Sequence, residues 1–89
     1  MRNRELILEK YPDQEFLMAD GFDDCILGVM ERIGSEPIIV YEKEKLIRKL
    51  MEEGMTEEDA LEFYYFNIVG SYVGELTPGF VELLKREDY

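Results

Sequence analysis

Residues 60–69 read Ala-Leu-Glu-Phe-Tyr-Tyr-Phe-Asn-Ile-Val, and only Glu62 and Asn67 interrupt the apolar and aromatic character. The four residues before them, Thr56-Glu57-Glu58-Asp59, start a helix, with Thr as cap and acids in the first turn. On that helix Ala60, Leu61, Tyr64, Tyr65 and Ile68 form one face, while Phe63, Phe66 and Val69 cover the remainder. A helix that is apolar all round must be buried on all sides. The chain has 89 residues, one small domain over 1–89, so the segment has to lie at the centre of the domain or be covered by another chain. Phe63, Phe66 and Val69 are therefore expected interface residues, and a homo-oligomer is expected.

The remaining pattern predicts short helices. Asn3 caps a first helix carrying Leu6, Ile7 and Leu8, which stops before Pro12. Asp20 and Asp23 have capping-box spacing, and Phe22, Cys25, Ile26, Val29 and Ile33 recur at helical period up to a Gly34 cap. Leu27 lies off that face, which hints at a further contact. Residues 42–53 place Leu46, Ile47, Leu50 and Met51 inward and end at Gly54, leaving Lys45, Arg48 and Lys49 on an outer basic strip that, like Leu27, is an expected interface. Thr77-Pro78 opens a last short helix carrying Phe80, Val81, Leu83 and Leu84. Pro37-Ile38-Ile39-Val40-Tyr41 is β-branched and extended, but short and solitary. It pairs with residues 71–73 or lies across the helices. The expected fold is mainly α: a small bundle of four to five short helices, with at most one short β pairing through residues 37–41.

Charge narrows the partners. Twenty-one acidic residues against ten basic ones give a formal charge of −11, and the signs are sorted along the chain. Residues 11–31 hold six carboxylates and no Lys or Arg, and residues 50–84 hold eight, again with none. The dense basic cluster, Lys43, Lys45, Arg48 and Lys49, lies between them. Direct nucleic-acid binding needs cations against phosphates, so it is not expected. A basic protein is the complementary partner. No His is present, which removes imidazole as base, metal ligand or pH switch. The single Cys25 cannot form an intramolecular bridge, no leader pattern is evident, and no apolar run approaches a membrane span. These features place the chain in the cytoplasm, without a membrane.

No constellation compels catalysis. Asp20, Asp23 and Asp24 lack the alternating oxygens and terminal Glu of a calcium loop, and helix capping accounts for them. Cys25 has acidic and apolar neighbours rather than the electropositive setting of a reactive thiol. Gly70 and Gly74 have GxxxG spacing without the strand and the cations of a phosphate loop. No catalytic residue, metal or cofactor is assigned, and the chain is read as non-enzymatic.

The motifs Phe22-Asp23-x-x-Ile26-x-Gly28-x-x-Glu31-Arg32, Glu36-Pro37-Ile38-Ile39-Val40-Tyr41 and Phe66-Asn67-x-x-Gly70-x-Tyr72-Val73-Gly74-Glu75-x-Thr77-Pro78 are similar to those of a family of short uncharacterised proteins. That family occurs in bacteria, archaea and tailed phages. The resemblance implies no activity, but it suits an accessory or anti-defence role. Two functions lead: an acidic protein-interaction module that inhibits a basic nucleic-acid-binding partner, or a protein that sequesters a small ligand or nucleotide; a metal-assisted enzyme using Asp23, Asp24 and Glu31 ranks last. The second would use Asn67, Tyr72, Glu75 and Thr77, polar side chains among glycines in an apolar neighbourhood.

Overall fold

A computed structural model describes residues 2–19, 21–71 and 73–84. Helix α1 (Arg2–Lys10) leads through a connector and a single 3-10 turn (Asp23–Cys25) into strand β1 (Ile26–Met30). Strand β2 (Ile38–Glu42) runs directly into α2 (Lys43–Glu52), followed by α3 (Glu57–Phe63), a π-helical turn (Tyr64–Val69) and strand β3 (Gly79–Val81). The strands form one mixed sheet in the order β1-β2-β3. β1 and β2 are antiparallel, and β2 and β3 are parallel. This is an α+β fold, and it overturns the expected helical bundle.

The correction has three local causes. Apolar spacing over 22–33 points to a helix, yet the stretch holds Ile26, Val29 and a mid-segment Gly28. β-Branched residues favour a strand, and an interior glycine costs a helix about 1 kcal/mol. A bulge at Leu27 separates the Ile26–Tyr41 pair from the Gly28–Val40 pair, and one extra residue disguises the two-residue alternation as a helical period. Gly34 is not a helix cap. With φ of +80° it occupies a reverse turn closed by Ser35 N–H donating to Arg32 O at 3.3 Å. The expected cap at Asp20 lies outside the described residues.

The second cause concerns residues 38–42. They are not solitary but form the central strand, paired with β1 on one edge and with β3 on the other. Ile39 and Tyr41 join the core cluster on one face, while Ile38 and Val40 are buried on the other. A strand buried on both faces reads as a continuous apolar run, without alternation. The third is the C-terminal segment. Pro78 precedes a strand instead of opening a helix, because residues 79–81 pair with Val40, Tyr41 and Glu42.

Helices α1 and α2 contribute Ile7 and Leu46 to the core, over Ile26, Ile39 and Tyr41 of the sheet, with Tyr64 of the π-helical turn completing the cluster. Tyr41 stacks on Phe80 at 5.9 Å between ring centroids, and Phe80 meets Tyr64 edge-on at the same separation. Asn3 lies inside α1 rather than capping it, and its Nδ2 donates to Ile26 O at 3.0 Å. That bond ties α1 to the start of β1. α2 ends as expected at Gly54. Its φ of +113° allows Gly54 N–H and Met55 N–H to donate back to Met51 O and Leu50 O, the hydrogen-bond pattern of a Schellman cap.

Candidate functional site

Thr56 begins the site. Its hydroxyl accepts the Asp59 N–H at 3.1 Å, which fixes the start of α3, and the acids of the first turn sit where the helix dipole favours negative charge. Ala60 and Tyr64 point into the core. At helical spacing, Asp59, Glu62, Phe63 and Phe66 then share a stripe turned away from it. With Met55 and Asn67 they line an open groove of about 320 Å³. Phe66 is 78 % exposed, and Tyr65, Val69 and Phe63 are also exposed. Among the described residues neither Asp59 nor Glu62 forms an ion pair. The segment expected to be buried on all sides is therefore buried on one side and presents aromatic surface on the other.

Around the corner of the same helical segment, Lys43 Nζ donates to Tyr65 Oη at 2.7 Å and to Glu82 Oε1 at 3.1 Å. The ammonium lies 5.1 Å from the Tyr65 ring centroid and 5.8 Å from that of Tyr64, within reach of cation–π attraction. The Tyr65 hydrogen bond, followed by Glu82, holds the Lys43 ammonium above its ordinary pKa. The arrangement ties the start of α2 to the π-helical turn and to residue 82.

The basic strip on α2 is divided. Lys49 pairs with Asp24 at 3.4 Å, whereas Lys45 and Arg48 form no ion pair among the described residues. These three line a small cleft with Asp24, Cys25 and Glu52. Leu27, exposed at the β1 bulge, is not part of that cleft or of the aromatic groove. The sequence-derived interface residues thus fall into separate patches.

The expected ligand segment is divided as well. Glu75 and Thr77 line an open polar cleft of about 580 Å³ with Arg32, Ser35 and Glu36 from the β1–β2 turn. Asn67 lies elsewhere, bordering the aromatic groove and an apolar cleft lined by Phe22, Ile68, Val73 and Phe80. Tyr72 lies outside the described residues. Thr77 closes the loop before β3, where its hydroxyl accepts Val73 N–H at 2.9 Å and donates to Gly74 O at 2.6 Å.

The remaining acids are dispersed. Asp23 pairs with Arg4 at 2.9 Å, Asp24 with Lys49, and Glu31 accepts from Tyr11 Oη at 3.4 Å. A hydrogen bond from its own backbone N–H, then Lys49, lowers the Asp24 pKa. Among the described residues no three His, Cys, Asp or Glu side chains converge as metal ligands. Burial pushes the Cys25 thiol up, away from the thiolate, which suits an inert core position.

Met55, Asp59 and Glu62 belong to the groove although sequence reasoning does not single them out. A signal exists: positions 59, 62, 63 and 66 follow helical spacing, but acids and aromatics look like separate features along the chain. Compared with protein-family models, curated proteins and solved structures, the chain matches none. Among the described residues no helix is long and apolar enough to cross a membrane.

Proposed function

We propose that this chain is a non-enzymatic, acidic protein-interaction module whose partner is a basic protein. The observation that carries the reading is the exposed Phe66 face, rimmed by the carboxylates of Asp59 and Glu62. An aromatic centre with a charged rim is the composition of binding hot spots. Net charge favours a basic partner over a second copy, since each copy brings −11 to the encounter and like fields repel. In its finer form the reading is an inhibitor that covers a nucleic-acid-binding surface. The lone buried thiol suits a cytoplasmic setting.

The test is competition. A basic DNA-binding protein retained by the immobilised chain should lose its DNA in the presence of the free chain. Its retention should fall as salt rises, because charge-steered contacts are screened. Retention indifferent to salt, or DNA binding left intact, would count against the reading.

The polar cleft holding Arg32, Glu75 and Thr77 favours a second reading, a small-ligand binder. A nucleotide that binds there would raise the melting temperature by mass action. No shift across a nucleotide panel removes that alternative.

A further inference from the structure

The groove at residues 55–67 has more specific chemistry than negative charge. Its lining combines two aromatic rings, Phe63 and Phe66, a thioether from Met55, the amide of Asn67, whose oxygen can accept from a cation, and two carboxylates, Asp59 and Glu62. An aliphatic side chain would satisfy the rings and the thioether but would leave the carboxylates without partners. An anion is repelled by both carboxylates. A cation on an apolar stem answers every part of the lining. We propose that the groove is an arginine acceptor, taking one Arg side chain of a partner protein between the ring of Phe66 and the carboxylates of Asp59 and Glu62.

Arginine fits better than lysine for two reasons. Its planar guanidinium stacks on an aromatic face and is more weakly hydrated than an ammonium, so it loses less on leaving water. Its fork of N–H donors can also serve two carboxylates at once, where an ammonium acts as a point charge. The three-carbon stem lies along apolar surface while the head reaches charge, matching a groove that has Met55 as well as acids in its lining. Lys43 in this chain shows the related contact, with its ammonium held against Tyr64 and Tyr65 and paired with Glu82. The groove has the corresponding ring and acid groups, but no cation of the described chain pairs with Asp59 or Glu62.

This inference rests on the interaction-module reading, and the experiment separates the two. Labelled synthetic peptides of Arg-Gly-Ser repeats, and matched Lys-Gly-Ser repeats, are titrated with the whole chain and followed by fluorescence anisotropy. The arginine peptide should bind more tightly than the lysine peptide. Phe66→Ala should weaken it roughly fivefold, from the lost ring contact. The double variant Asp59→Asn with Glu62→Gln should weaken it roughly tenfold, from two lost ion pairs. A control, Glu52→Gln with Glu53→Gln, changes the net charge equally outside the groove and should leave affinity within about twofold. Equal weakening by both double variants means that bulk charge binds the peptide, which overturns the groove and leaves the module reading standing. Lysine binding as tight as arginine overturns the assignment to arginine. A dimer in sedimentation equilibrium that Phe66→Ala abolishes overturns it too, because a second copy then fills the groove. If neither peptide binds and the competition assay also finds no basic partner, both readings fail.

Discussion

Tyr41 is 1 % exposed near the end of the central strand, and its hydroxyl accepts the Ala19 N–H at 2.6 Å. This bond ties the connector after α1 to the sheet, beside the packing of Phe16 and Met18 against the core. Tyr41→Phe keeps the ring and its stacking but leaves the Ala19 N–H without that partner, so unfolding in urea should show a loss of about 1–2 kcal/mol. Burial also raises the Tyr41 and Tyr64 phenols above their ordinary value of 10.0, and hydrogen bonding raises Lys43 above 10.5. The sign follows from linkage: the folded state holds these protons more tightly than the unfolded chain. The stabilisation is complete below the unfolded values and is lost as pH rises through the higher folded ones. The urea midpoint should therefore drop on the alkaline side of pH 10 from these groups. A midpoint that stays level through that range would contradict the burial of both phenols.

Two glycines that look alike in the sequence have opposite roles in their elements. Gly28 lies in β1 with no other atom within 4 Å of where a Cβ would stand. Gly28→Ala should stabilise by about 0.5–1 kcal/mol, through a less flexible unfolded chain. Gly54 closes α2 at φ +113°, a conformation that L side chains resist, so Gly54→Ala should cost about 1 kcal/mol. Thermal melts of the two variants should move in opposite directions. The same contrast explains which elements are legible in the sequence. α2 and the start of α3 can be read because their caps, Gly54 and Thr56, act through local hydrogen bonds that the sequence encodes within a turn or so. β3 cannot, because a three-residue strand gains its stability from β2, which is distant in sequence, and β1 cannot although β2 follows it closely. The bulge at Leu27 then removes the alternation that would reveal β1. At the candidate site, the exposed aromatics and the neighbouring acids are both visible in the sequence. Which side of the helix stays uncovered depends on packing of Ala60 and Tyr64, and that is not.

Across the whole molecule the acidic excess is a load on stability as well as a signal to partners. Screening should relieve it. Between about 0.05 and 0.5 M sodium chloride the melting temperature should rise by roughly 5 °C, as the screening length shortens. A fall over that range would mean that the ion pairs of Asp23, Asp24 and Glu82 outweigh the general repulsion. The parallel pairing of β2 with β3 has a consequence of another kind, for the chain as it is synthesised. Residues 43–78 all intervene between the two strands, so β2 emerges from the ribosome well before the strand that covers its second edge. Until residues 79–81 follow, an Ile-Ile-Val-Tyr run presents bare backbone donors and acceptors, the condition under which strands recruit foreign ones. A chain stopped at residue 78 should therefore aggregate or be degraded while the 89-residue chain survives. Three short residues would then serve as a completeness check on everything made before them.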